Sequence, residues 1–293
     1  MKKAGFESDF DIKNIRAPVV SGKFYSDDEG KLKNWLKMAF LKAEENEREC
    51  GDFDKSDSLG VVSPHAGFIY SGETAASAIN ALSPADTYIL IGPNHTGYGT
   101  PVSISYSAWN TPLGTVNCDL SLFKYFENTI AKPDESAHLF EHSLEVQIPF
   151  LQYKFKNDFK IFPICMGTQK IDVAKDLGKI IADIVIKEKE ENNKTIKIIA
   201  SSDLSHYVTA EKAKKIDFEI IENVLKTNTN RLYETVERLN ASACGFGPIA
   251  ILIETAKRLN ENASGKLIKY TNSGEVSGDF EAVVGYAAIA VFI

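Results

Sequence analysis

The feature that most constrains the fold of this chain is the alternation of short apolar runs with longer segments that are apolar on one face. Four runs have the length of buried strands: 59–62, 88–91, 160–164 and 196–200. Apolar residues recur at helical spacing over three longer segments, 32–43, 173–184 and 213–224. The closing run, 282–293, has the composition of a buried terminal strand. This alternation predicts an α/β fold in which helices cover both faces of a largely buried central sheet.

Local signals refine this prediction. Asp27 or Asp28 is placed to cap the first helix, and Pro163 favours an edge position or a strand end for the third run. The polar run 187–194 is typical of a surface loop or a helix end. Because no linker, repeat or low-complexity tract interrupts the alternation, we expect residues 1–293 to form a single domain.

Composition and charge exclude several classes of protein. The net charge is -7 and no basic stripe is present, which argues against a nucleic-acid-binding protein. The four cysteines lack the short spacings of a zinc ribbon or a redox pair. In the opening 1–9 acidic residues come before any apolar run develops, unlike in a signal peptide, and no apolar stretch approaches the roughly 18–20 residues that cross a bilayer. We therefore expect a cytoplasmic protein, of undetermined oligomeric state, that does not bind membranes.

Three of the five histidines directly follow predicted strands, in turns of small residues. His65 lies within 63–67, His95 within 92–97 and His206 within 201–206. Ligand sites of open α/β sheets lie beyond the carboxyl ends of the strands. If the strands are parallel neighbours, the three histidines and Asp203 therefore converge. A single histidine in a turn is more often structural, but three in equivalent positions indicate a functional cluster.

Cys244 is a fourth candidate, because it directly precedes a predicted helix with Pro248 in its first turn. A helix N-terminus favours the thiolate and lowers its pKa, whereas the alternative for a free cysteine is a small buried apolar residue. Two histidines and a thiolate can supply three metal ligands and leave a position open for water or substrate. Imidazole suits iron, copper and zinc, and a thiolate shifts the preference toward Cu(I) or Zn.

Other polar residues have less specific signals. Asp203 and His206 are three residues apart, so they would share a face if their segment forms a helical turn. They would then act as partners of the ligands or as general acid and base, while Asp203 has the alternative role of a helix N-cap. His142 and Glu145, within 141–145, are candidates for the rim of the site; solvated residues at a helix start are an equal alternative.

Taken together, these motifs resemble the Memo family. The resemblance rests on 16–25, 63–67, 92–95, 109–114, 141–145, 202–206 and 243–245. It covers nearly the whole chain, and the residues at 244–248 look like those of prokaryotic members. The resemblance implies a three-layer αβα fold akin to that of class III extradiol ring-cleaving dioxygenases.

The resemblance also implies a pocket made by His65, His95, Asp203, His206 and Cys244. His65, His95 and Cys244 would take the metal-ligand positions. The related dioxygenases hold Fe(II) with two histidines and a carboxylate, so Cys244 would stand where the carboxylate does. A soft, oxidisable ligand changes the charge and redox behaviour of the metal. Family members are linked to copper or iron binding and, in animals, to signalling through protein contacts.

Three functions fit these residues. The first is a metal-dependent redox or dioxygenase-like enzyme of unknown substrate, in which Fe or Cu, or else Zn, is bound and His206 and Asp203 move protons. The second is a non-catalytic scaffold that retains the pocket as a metal- or peptide-binding site. In the third, Cys244 is a nucleophile with His206 or His95 as its base. The sequence favours metal binding over the third function and does not separate the first two.

Overall fold

The computed structural model describes residues 14–51 and 53–293, so the opening segment 1–9 lies outside the described residues. The helices are α1 (Glu29–Cys50), α2 (Phe68–Asn80), α3 (Ile148–Phe155), α4 (Ile171–Asn192), α5 (Ala210–Leu225), α6 (Thr229–Leu239), α7 (Phe246–Leu259) and α8 (Gly274–Ser277). The strands are β1 (Ile15–Arg16), β2 (Ser58–Ser63), β3 (Thr87–Pro93), β4 (Val102–Ile104), β5 (Ala108–Thr111), β6 (Gly114–Val116), β7 (Ala131–Pro133), β8 (Lys160–Met166), β9 (Ile196–Ser201), β10 (His206–Val208), β11 (Ser264–Asn272) and β12 (Val283–Phe292).

A mixed sheet forms the centre of the described chain. Its strand order is β10-β12-β2-β9-β3-β8-β4-β7, and β11 pairs with β12 on the side away from β2. The four central strands β2, β9, β3 and β8 are parallel, whereas β12 runs antiparallel to β2 and β4 runs antiparallel to β8. The strands that precede His65, His95 and Asp203 are therefore adjacent and point the same way, which is the condition for these residues to converge.

Successive residues of the central strands face two different cores. In β3, Ile89 and Ile91 pack in a core with residues of α4 and α7. Tyr88 and Leu90 face the opposite way and pack with residues of α1 and α2. This alternation is the two-residue period of a strand that is buried on both faces. The predicted three-layer α/β arrangement, with helices on both sides of a buried sheet, is confirmed.

Asp28 caps α1 as predicted, since its side chain accepts a hydrogen bond from Lys31 N at 2.7 Å. The expectation that Pro163 lies at an edge or strand end is wrong, because Pro163 is the fourth residue of the internal strand β8. β4 pairs only with residues 164–166 of β8, and Ser105 N donates to Pro163 O. The proline nitrogen, which carries no hydrogen, therefore lies opposite residues that follow the end of β4. No hydrogen bond between β8 and β4 is lost.

A helix that spans a bilayer needs about 20 mostly apolar residues. Within 14–51 and 53–293, none of the helices combines the length and the apolar character that spanning a membrane requires.

Candidate metal centre

The candidate site lies where the central parallel strands end. His65 follows β2, His95 follows β3, and Asp203 follows β9, which lies between them. The His65 and His95 rings are 5.2 Å apart between centroids. Cys244 reaches the same place from the residue before the N-cap of α7. Sheet topology thus brings together residues that are up to 179 positions apart in the sequence.

His142 is a third imidazole of this cluster. One potential ligand atom from each of His65, His95 and His142 lies within 4.8 Å of the other two. Cys244 is not part of this group of described residues. The ring of His142 stacks on that of His95 at 4.8 Å between centroids. From the sequence we expected His142 only at the rim, since it does not follow a strand; the motif at 141–145 was the available signal.

The tautomer of His65 follows from its partners. Ser201 Oγ donates its single proton to Ser143 O at 2.7 Å, so at 2.8 Å it must accept a hydrogen bond from Nδ1–H of His65. Gln147 Nε2 also donates to Ser201 Oγ, at 3.0 Å. His65 Nε2 is therefore left with a lone pair, and it lies 3.1 Å from Cys244 Sγ. This is the tautomer that a metal ligand requires.

Glu141 orients His95 in the same way. Its fully buried carboxylate accepts from His95 Nδ1 at 3.0 Å and from His95 N at 2.5 Å. Burial alone would raise the pKa of Glu141, but the hydrogen bonds and charge of His95 outweigh it and lower this pKa to about 2. Burial likewise opposes a charge on His95, yet Glu141 raises the pKa of that imidazole. The Glu141 carboxylate thus accepts a hydrogen bond from Nδ1–H of His95, and Nε2 of His95 remains able to bind a metal.

Burial also favours the neutral form of the other two imidazoles. Desolvation lowers the pKa of His65 well below its usual range, and the neighbouring His142 and His95 lower it further. Desolvation lowers the pKa of His142 as well. Neutral imidazoles keep the lone pair that binds a metal ion, so no proton has to leave these two rings.

Cys244 is fixed against the loop that follows β9. Its backbone N donates to Asp203 O at 3.2 Å, and Asp203 N approaches its Sγ at 3.3 Å. Burial raises the pKa of the Cys244 thiol, and the nearby Asp203 raises it further. The expectation of a lowered pKa is therefore wrong, because desolvation and a like charge exceed the effect of the helix N-terminus. The metal-free protein carries a neutral thiol here.

Asp203 and His206 do not share a helical face. Residues 202–205 have no regular structure and β10 begins at His206, so Asp203 caps no helix either. Asp203 Oδ1 accepts instead from His65 N at 2.7 Å, and burial raises the pKa of Asp203 to about 6. His206 Nδ1 lies 2.8 Å from Leu204 O and 2.9 Å from Ser242 O. Since carbonyls only accept, this nitrogen carries the proton of the neutral ring and Nε2 keeps a lone pair.

A buried carboxylate on α5 holds the segment between Asp203 and His206. Asp217 Oδ1 accepts from the backbone N and the hydroxyl of Ser205, at 2.9 and 2.6 Å, and its Oδ2 accepts from the Tyr270 hydroxyl at 2.8 Å. Position 285 has to be glycine, because a Cβ there would overlap this carboxylate. From the sequence we did not foresee that Asp217 takes part.

Glu145 is not at the rim but deeply buried. Its Oε2 accepts from Arg16 Nη1 at 2.7 Å and its Oε1 from the Tyr25 hydroxyl at 2.8 Å. Arg16 also donates from Nε to His138 O and from Nη2 to Glu141 O, each at 2.7 Å. Glu145 therefore ties the segment 16–25 to the segment that carries Glu141, and its carboxylate is occupied by these contacts.

The chain is similar to known proteins over nearly its whole length. A family model described as Memo-like protein matches residues 16–290. A MEMO1 family protein of Methanosarcina mazei is 48% identical over 277 residues, which cover 94% of this chain and 99% of the relative. Corresponding proteins of Archaeoglobus fulgidus and Aquifex aeolicus are 41% and 39% identical, over 94% and 93% of this chain and 98% and 97% of theirs.

One solved structure shares the fold. The crystal structure of an uncharacterized protein from Escherichia coli K12 matches with a TM-score of 0.53, over 78% of this chain and 98% of that chain. Its sequence identity is 10%, so the likeness concerns the fold alone.

We expect Gly245→Ala to lower the free energy of unfolding by about 1–3 kcal/mol. A Cβ at this position would overlap the backbone carbonyl of Ser201 and lie 2.6 Å from Ser202 Cβ, so α7 or the loop after β9 has to shift. Gly67→Ala is the matched control, because Gly67 is likewise the N-cap of a helix but its Cβ would meet no atom closer than 3.7 Å, so only the cost of the weaker cap, about 0.5 kcal/mol, is expected. Urea unfolding of both variants measures the difference, and equal losses would contradict the prediction.

We expect His138 to make the stability depend on pH. Its ring is fully buried, and desolvation together with the Arg16 charge lowers the pKa of His138 from 6.5 to about 3. Below pH 6.5 the unfolded chain binds a proton that the folded chain resists. The contribution is thus fully present above pH 6.5 and is lost as the pH falls toward 3, by about 1.4 kcal/mol per pH unit.

The variant His138→Gln isolates this effect, because glutamine keeps a donor for Ser103 O, 3.3 Å from His138 Nε2, and does not titrate. Plotted against pH, its free energy of unfolding should fall less steeply than that of the wild type between about pH 6 and pH 4, by the slope of one proton. Identical slopes would show that His138 takes up its proton equally well in both states.

Proposed function

We propose that this chain, which belongs to the Memo-like protein family, binds one transition-metal ion through His65, His95 and Cys244 and acts as a metal-dependent redox enzyme. The observation that supports this most strongly is the shared orientation of two imidazoles. His65 and His95 are each held through Nδ1 by a partner in the chain, so that Nε2 is left over. Residues 1–293 would act as a single domain.

Iron or copper, or else zinc, fits this donor set. Imidazole nitrogen binds all three ions, and a thiolate adds a soft ligand that favours Cu(I) and Zn. Cys244 Sγ already lies 3.1 Å from His65 Nε2, so an ion bound by His65 is within reach of the sulfur. Because the Cys244 thiol is neutral in the metal-free protein, metal binding would release its proton and tighten as the pH rises.

His206 and Asp203 are suited to proton transfer beside that metal. A bound iron or copper ion would supply electron transfer and polarise an oxygen-containing ligand. His206 keeps a lone pair on Nε2 because its Nδ1–H faces two backbone carbonyls. Asp203 has a pKa of about 6, so it holds or releases a proton near neutral pH. Its backbone contact with His65 ties this acid to the metal ligand.

A second candidate is a binding protein that uses the same pocket without turnover. The observation that favours it is the presence of exposed aromatic side chains close in sequence to three of the site histidines: Tyr98, Phe140 and Tyr207. The rings of Tyr98 and Phe140 also lie 6.3 Å apart between centroids, and exposed apolar groups that lie together are typical of interaction sites. The metal-loaded protein would then consume no oxygen, whereas the enzyme would consume it in the presence of a suitable reductant or substrate.

We expect protein purified without oxygen to contain about one Fe or Cu ion per chain, and His65→Ala to contain far less. The loss follows because His65 is the imidazole that contacts both the sulfur and the other histidines. His138→Gln is the matched control, since it also removes one histidine but leaves the cluster unchanged. Elemental analysis measures the content, and a wild type that takes up no Fe, Cu or Zn would rule out the metal centre.

We expect metal-free Cys244 to react slowly with iodoacetamide at neutral pH, and more slowly still after metal is added. Only the thiolate reacts, and burial keeps the pKa of this thiol high. Peptide mass mapping with a Cys244→Ser reference identifies the labelled site. Fast labelling that added metal leaves unchanged would favour Cys244 as a nucleophile over both metal-binding functions.

A further inference from the structure

We propose that His142 is an additional and displaceable ligand of the metal, occupying the coordination position that a substrate needs. This inference rests on the proposed function, because it presupposes the centre at His65, His95 and Cys244. It adds His142 as a fourth ligand to His65, His95 and Cys244. It also identifies His142 as the ligand that leaves the metal when a substrate binds.

The first support is distance. The ligand atoms of His65, His95 and His142 already lie within 4.8 Å of one another. Nitrogen ligands of one tetrahedral ion lie about 3.4 Å apart, so these atoms are at most about 1.4 Å farther apart than such a site requires. The His142 ring is 5.5 Å from that of His65 and 4.8 Å from that of His95, measured between centroids.

The second support is the difference in how the three rings are held. His65 and His95 have firm partners for Nδ1, at 2.8 and 3.0 Å. His142 Nδ1 is 3.4 Å from Glu141 Oε1, beyond the usual hydrogen-bond range. That oxygen already accepts from His95 Nδ1 and from the backbone N of His142 and of Ser143. The His142 ring is therefore the least firmly fixed of the three.

Packing, rather than hydrogen bonding, keeps this ring in place. It stacks on His95 with an interplanar angle of 26° and contacts Phe24 at 4.9 Å between ring centroids. Its side chain is 23% exposed, so solvent reaches it. A ring held in this way can swing without breaking a strong hydrogen bond, whereas His65 and His95 cannot.

The consequence concerns access to the metal. Three imidazoles and one thiolate make four protein ligands, a number typical of closed sites, whereas catalytic sites keep one position free. If His142 leaves, the ion keeps His65, His95 and Cys244 and gains an open position. His142 would thus keep small molecules off the resting metal until a substrate displaces it.

Cobalt(II) absorption tests this directly, because the visible bands of the ion report its ligand number without any need for turnover. We expect His142→Ala to bind cobalt(II) about tenfold more weakly than wild type, or weaker still, with altered visible bands but an intact thiolate-to-cobalt band from Cys244. Added imidazole should restore the wild-type bands, and azide should bind the variant at lower concentration than the wild type.

His138→Gln is the matched control. It removes a fully buried histidine that is outside the three-imidazole group. Its cobalt(II) affinity and bands should equal those of the wild type, and imidazole should change neither. His142→Gln serves as a second variant that keeps a polar side chain if alanine at this position unfolds the protein.

Two failures are distinguishable. If the wild type binds cobalt(II) and the His142 variants match its affinity, bands and azide binding, His142 is no ligand and this inference is overturned while the metal centre stands. An equal loss in His138→Gln would also overturn it, because the effect would then not be specific to the His142 ring. If the wild type binds neither cobalt(II) nor Fe, Cu or Zn, the proposed function itself fails.

Discussion

The parallel pairing of β2, β9 and β3 is the constraint on which the site depends. Because the three strands run the same way side by side, the residues that follow them emerge at one edge of the sheet. His65, Asp203 and His95 meet there although no two of them are close in the sequence. The pairing is secured by two apolar cores, one on each face of the sheet, so the positions of these loops are set by the buried interior.

Buried charged and polar groups then orient the side chains within that frame. Ser201 determines the tautomer of His65, and Glu141 that of His95. Asp217 holds the segment that leads to His206. Each is desolvated and would be costly if it lacked partners, yet each has its hydrogen bonds satisfied within the chain. The same contacts that compensate burial therefore also fix the geometry of the candidate ligands.

The sequence signals differed in strength for physical reasons. The strands and the amphipathic helices were predictable because their apolar spacing is regular. The helix α2 was not foreseen, since ten of its 13 residues are buried and many are small, so that no polar face marks it. Pro163 was misplaced because its tolerance depends on where the neighbouring strand β4 ends. The pKa of Cys244 was expected to fall and instead rises, because desolvation by the surrounding fold exceeds the local effect of the helix.

The sequence by itself determined the fold class, the family resemblance, and the placement of His65, His95 and Asp203 after buried strands, because periodicity and strand-end motifs are local properties. Only the tertiary structure decided that His142 joins the imidazole cluster and that the Glu145 carboxylate forms a buried salt bridge with Arg16. It also decided that Glu141 and Asp217 hold the site residues in place. These roles depend on distances between segments far apart in the chain and on the loss of solvent around them. Neither quantity is present in a sequence until the chain has folded.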